Sequence, residues 1–169
     1  SDVCSSDLFS RSPATIAMGA VSTDIISKGR MILGLGTSSV PIVESFHGYR
    51  FEKPLQRMRE YVEIIKLITS GKSINYSGKI FDLNNFKLLI KPNRDLIPIY
   101  IAAINKKMVE LTWDVADGTI FYLRPKNEMK ETISKMQLKR KIDVTCQIIT
   151  AISNDSEKAI ERRSEEHTS

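Results

Sequence analysis

The sequence predicts an α/β fold built on a parallel sheet. Short apolar runs alternate with segments of helical period along most of the chain. The runs are nearly continuous in apolar residues, as strands covered on both faces require. Four strand-then-helix units result. They fit half of an eight-stranded βα barrel, or a doubly wound sheet. A complete barrel takes about 250 residues, more than the 169 present.

Each element has its own local reason. Ser12-Pro13 opens the first helix, since serine caps and proline is tolerated at the first helical position. Ile16, Ala20, Val21 and Ile25 share its apolar face, and Lys28-Gly29 is the stop. A strand follows at residues 31–35, ending in Gly34-Leu35-Gly36-Thr37-Ser38-Ser39. A second helix spans about residues 55–69, with Leu55, Met58, Val62 and Ile65 as its buried stripe. Arg57, Arg59, Glu60, Glu63 and Lys66 are expected on its other faces, with Arg57 and Arg59 forming salt bridges near Glu60. Residues 71–92 read as a small hairpin-like excursion. Two β-prone runs flank Ser77-Gly78, and residues 86–90 make a third. The βα rhythm then resumes. A strand at residues 99–103 precedes a helix carrying Met108, Leu111 and Val115. A strand at residues 119–123 follows Asp117-Gly118 and leads to a helix at about residues 127–139. A strand at residues 144–152 then runs into the start of another helix.

Composition excludes several classes. Hydrophobic residues at 41% and charged residues at 27% are an ordinary globular balance. No apolar run approaches the roughly 20 residues that span a bilayer, and no signal peptide opens the chain. A soluble, cytoplasmic protein is the expectation. Two cysteines, Cys4 and Cys146, make no disulfide framework, and with only His47 and His167 beside them no metal site is expected. Cys146, mid-strand, reads as a buried inert thiol.

Both ends look foreign. Residues 1–8 and 164–169 resemble translated sequencing-adapter DNA, of the kind found on reading frames assembled from short metagenomic reads. Residues 9–163 are then the domain proper. Setting aside Asp2, Asp7, Glu165 and Glu166 raises the formal net charge from +5 to +9. Such a balance suits an anionic cofactor or substrate. The lysines are scattered without a basic helix or interleaved aromatics, so nucleic acid is not an expected partner.

The Gly34–Ser39 stretch raises the dinucleotide fingerprint and fails it. The third glycine position holds Ser39, and Pro41 interrupts any immediate helix. At the end of a barrel strand the same residues make sense, because cofactor groups collect there. Gly36 admits close backbone approach, and Thr37, Ser38 and Ser39 offer donors. On these residues alone a plain strand-to-loop turn serves equally well.

Ordered segments carry a resemblance. "SPATIAMGAVSTDIISKGRMILGLGTSS", "FHGYRFEKPLQRMREYVEIIKLI", "YSGKIFDLNNFKL" and "PIYIAAINKKMVELTWDVADG" resemble, in that order, the luciferase-like monooxygenase superfamily, over about residues 11–162. The nearest branch is the one that uses coenzyme F420, with FMN as the alternative. The resemblance implies a (β/α)8 TIM barrel, of which this chain holds about strands four to seven. It implies an oxidoreductase moving hydride to or from a small organic substrate. The other implied readings are an FMN-dependent monooxygenase served by a partner reductase, and a non-catalytic flavin-binding relative. A homodimer is expected of the full-length protein, and aggregation or partial folding of the half-barrel by itself.

The resemblance places the cofactor's phosphate-bearing tail at Ala103, Ile104, Asn105 and Lys106, with Gly36, Thr37 and Ser38 bordering the ring or its side chain. The residues agree in kind. Asn105 caps the helix that follows, and the helix N-terminus with Lys106 and Lys107 attracts anions. Relatives carry glycine and proline where this chain has Asn105 and Lys106, and asparagine's tolerance of the left-handed conformation would preserve the turn. An ordinary capped surface helix is the bland alternative. No catalytic residue is legible. His47 is the only candidate acid or base, and a structural loop histidine is the plainer reading. Glu44 is expected to be solvated or helix-facing, Asp117 to make a turn, and Trp113 to pack in the core.

Overall fold

A computed structural model describes residues 6–148 apart from residue 123, with residues 150, 152–155, 157, 158 and 160. Five strands form one sheet: β1 (Ser6–Asp7), β2 (Leu33–Gly36), β5 (Ile99–Ala102), β6 (Gly118–Tyr122) and β7 (Asp143–Gln147). Between β2 and β5 in the chain lie β3 (Ile74–Ser77) and β4 (Asp82–Phe86), a separate antiparallel pair. Every neighbouring pair in the large sheet is parallel. The order across the sheet is β1-β2-β5-β6-β7. Strands thus advance across the sheet in chain order, with no reversal. A doubly wound sheet reverses at its switch point; a barrel does not. The fold is the singly wound, partial-barrel alternative.

The helices are α1 (Pro13–Ile26), α2 (Pro54–Thr69), α3 (Lys106–Val115) and α4 (Lys126–Gln137). Ser12 caps α1 by accepting from the Thr15 amide at 3.2 Å, and Pro13 occupies the first turn. Gly29, at φ +80°, closes the far end, its amide donating to Asp24 O at 2.9 Å. Helix α2 packs against both α1 and α3. Its stripe of Met58, Val62 and Ile65 is buried as expected, and Tyr61, Ile64 and Ile68 widen it. Strand β2 is buried at all four positions.

The end of the sheet opposite the candidate site is pinned by ions. Asp24 accepts from Arg94 at 2.7 and 3.2 Å. Lys66 Nζ meets Asp117 Oδ1 at 3.0 Å, while Asp117 Oδ2 receives the Ile99 amide at 3.0 Å. Asp117 therefore anchors the start of β5, which excludes it from the site at the other end.

Four readings need correction. Residues 86–90 make no third strand: only Phe86 belongs to β4, Leu88 turns into the core and Leu89 is fully exposed. Strand β7 ends at Gln147 rather than 152; residues 149 and 151 lie outside the described residues, and Ile148 and Ile152 are exposed. Cys146 is exposed, because β7 is the outermost strand of the sheet and little covers it. Glu60 is buried, not a surface charge. Leu8, grouped by sequence with the N-terminal stretch, is fully buried beyond β1.

Candidate functional site

The C-terminal ends of parallel strands collect the loops that can bind a ligand. Two of these ends meet here. β2 pairs directly with β5, Leu35 opposite Ile101. That register brings the residues after Gly36 beside the residues after Ala102, more than 60 positions away in the chain. Between them opens a cleft of about 400 Å³. Thr37 forms one side, Phe51, Pro54 and Leu55 another, and Asn105, Lys106, Lys107 and Met108 the third.

The third side is the start of α3. Asn105 is its cap, with Oδ1 accepting from the Met108 amide at 2.9 Å. Its backbone is extended, at φ −91° and ψ 157°. The left-handed tolerance expected of asparagine is therefore unused; the residue is there to cap. Capping satisfies the third amide of the helix. The amides of Lys106 and Lys107 have no acceptor within the helix. They point outward at the positive end of the helix dipole, next to two exposed lysine side chains. Among the described residues no carboxylate lines the cleft. The arrangement favours an anion, with Thr37 as a further hydroxyl donor and Phe51, Leu55 and Met108 as apolar wall.

Of the sequence-predicted residues, Thr37, Asn105 and Lys106 line the cleft. Gly36 ends β2 and is buried; Ala103 is buried and donates its amide to Ile120 O at 3.3 Å. Both back the cleft without lining it. Ser38, at φ +59°, and Ile104 are exposed and lie outside it. His47 closes a π-helical turn at Ile42–Phe46, its amide donating to Ile42 O at 3.2 Å, and is exposed. It does not line the cleft. Glu44 Oε1 receives the Phe51 amide at 3.1 Å and so fixes the loop that carries the aromatic wall. Phe51 and Pro54 were not singled out by sequence reasoning; Lys107 was named for its charge, and Leu55 was read as part of the buried stripe of α2 rather than as a wall of the cleft. The proline that opens α2 marks where that helix begins, but not what it faces.

The profile of the luciferase-like monooxygenase family matches residues 3–168. The chain belongs to this family. Among its luciferase-like relatives is a 5,10-methylenetetrahydromethanopterin reductase of Archaeoglobus fulgidus. It is 44% identical over 109 residues, covering 64% of this chain and 32% of that protein. A Mycobacterium tuberculosis protein provisionally named a coenzyme F420-dependent oxidoreductase is 36% identical over 129 residues, covering 68% of this chain and 37% of its own length. The coenzyme F420 dependent tetrahydromethanopterin reductase from Methanopyrus kandleri has the same fold, with a TM-score of 0.83 and 22% identity over 94% of this chain and 52% of that one. This luciferase-like chain thus spans about a third of the two curated relatives and half of the solved structure. Among the described residues no helix is long and apolar enough to cross a membrane.

Proposed function

We propose that this chain is the cofactor-tail-binding part of an F420-dependent oxidoreductase. In this reading residues 9–163 are its barrel segment, and the enzyme transfers hydride to or from a small organic molecule. The observation that carries the reading is the cleft between the ends of β2 and β5, with its open helix amides, two lysines and no acid among the described residues. The names of the relatives at 44% and 36% identity support F420 as the cofactor.

The donor set fits such a group. The amides of Lys106 and Lys107 and the Thr37 hydroxyl would hold a phosphate, and the Lys106 and Lys107 side chains would balance its charge. Phe51, Leu55 and Met108 would exclude water from the chain that joins phosphate to ring. Gly36 and Ala103 would support the cleft from behind. When bound, the deazaflavin supplies a two-electron hydride carrier. The protein's part is to hold it in register with the substrate.

Fluorescence titration of the full-length protein with F420 and with FMN tests this. Saturable quenching by F420 with no FMN response is the expected result. FMN binding without F420 binding would move the chain to flavin monooxygenation. Binding of neither would remove the phosphate site.

A further inference from the structure

A second pocket lies on the other side of α2's first turn. Its volume is about 410 Å³, and Phe9, Arg11, Arg50, Arg57, Tyr61 and Phe81 are among the residues that line it. It shares a wall with the cofactor cleft. Phe9 in this pocket stacks on Phe51 in the cleft, with centroids 5.0 Å apart.

Arg57 is the unusual member. Its guanidinium lies over the Phe9 ring at 4.7 Å and the Phe81 ring at 5.4 Å. Its Nε is buried and has no hydrogen-bond partner among the described residues. The acid that would ordinarily answer it is Glu60, one turn along the same face. That carboxylate is committed elsewhere, to Gln56 and to the amides of Lys79, Ile80 and Phe81. Among the described residues Glu52 is the only acid lining the pocket, and it faces Arg50 at 3.7 Å. Arg57 is thus a cation held in place by rings, with no carboxylate among the described residues to meet it. A guanidinium offers a planar fork that matches a carboxylate. The aromatic residues Phe9, Tyr61 and Phe81 lining the pocket suit a flat apolar body.

We propose that this pocket binds a flat organic acid by its carboxylate, and that it seats the acidic group of the oxidoreductase's substrate beside the cofactor cleft. The second clause rests on the cofactor reading above; the first does not.

Calorimetric titration of the full chain with benzoate, and separately with inorganic phosphate, tests the pocket. Benzoate should bind saturably and more tightly than phosphate. Arg57→Gln should weaken benzoate by about tenfold or more, as loss of a charged hydrogen-bonding partner does, and leave F420 affinity unchanged. No saturable benzoate binding, or equal binding by Arg57→Gln, would overturn the proposal. Phosphate binding that is as tight as benzoate binding and is weakened by Arg57→Gln would also overturn it, leaving a simple anion site. If Arg57→Gln does not fold, Arg11→Ala at an exposed lining residue decides instead: weakened benzoate binding supports the pocket and unchanged binding refutes it. Arg57-dependent benzoate binding without F420 binding would sink the cofactor reading alone. F420 binding without benzoate binding would sink the pocket alone.

Discussion

Glu60 lies on α2 with 1% of its surface exposed and accepts from the amides of Lys79, Ile80 and Phe81 at 2.8, 3.0 and 3.0 Å. Burial pushes its pKa up, but the Gln56 amide and the three backbone donors outweigh that and hold it below the ordinary carboxylate value. Its contribution to stability is therefore present above the unfolded pKa and lost as pH falls through the lowered folded one. Glu60→Ala would orphan several donors at once and should cost about 3–5 kcal/mol in denaturant unfolding at neutral pH. Tyr100 shifts the other way. Burial, then its hydrogen bond to Asp143 Oδ2 at 2.5 Å, raise its pKa from 10.0 to about 12. The stability it adds is complete below pH 10 and disappears as pH rises through about 12. Tyr76, half-buried and hydrogen-bonded to Glu63, is raised as well. An absorbance titration should therefore show more than one tyrosine ionising late, and Tyr100→Phe should remove the step near pH 12. Neither shift is readable from the residue itself. Glu60 looked like one charge among several on α2 because its partners lie about twenty positions away and meet it only in the folded chain. Cys146 was misread for a related reason: strand composition does not say which strand is outermost.

The elements were legible where the cause is local. A cap needs only its own helix, so Ser12, Pro13 and Asn105 could be read directly, and each occupies its expected place. Residues 87–90 were apolar enough for a strand but have no neighbouring strand to pair with among the described residues. The same limit applies to the site. Thr37, Asn105 and Lys106 were readable because each follows a strand, whereas Phe51 and Leu55 reach the cleft only through the seating of α2. Packing between elements also explains Gly118. It stands opposite Tyr100 in the β5–β6 register, and a Cβ there would come within 2.6 Å of the ring. The ring cannot swing away without losing Asp143. Gly118→Ala should cost about 1–3 kcal/mol, measured by thermal or denaturant unfolding. In a Tyr100→Leu background the cost should fall, since the two positions couple through that contact.

At the scale of the whole molecule, one feature organises the rest. The sheet is parallel and singly wound, so the loops after β1, β2, β5 and β6 all emerge on one side. The ion pairs at Asp24 and Asp117 stabilise the opposite side and leave the loop side free for a ligand. The alternation of strand and helix was visible in the sequence, but the order of strands across the sheet was not. That order separates a barrel from a doubly wound fold and sets Thr37 beside Asn105. The central claim is that this junction holds the phosphate of F420. Its most direct test is F420 affinity, followed by fluorescence, in wild type and Lys106→Glu at low and moderate salt. The charge reversal should weaken binding by about tenfold or more at low salt, with the gap narrowing as salt screens the exposed site. Equal affinity in the two proteins at low salt would contradict the assignment.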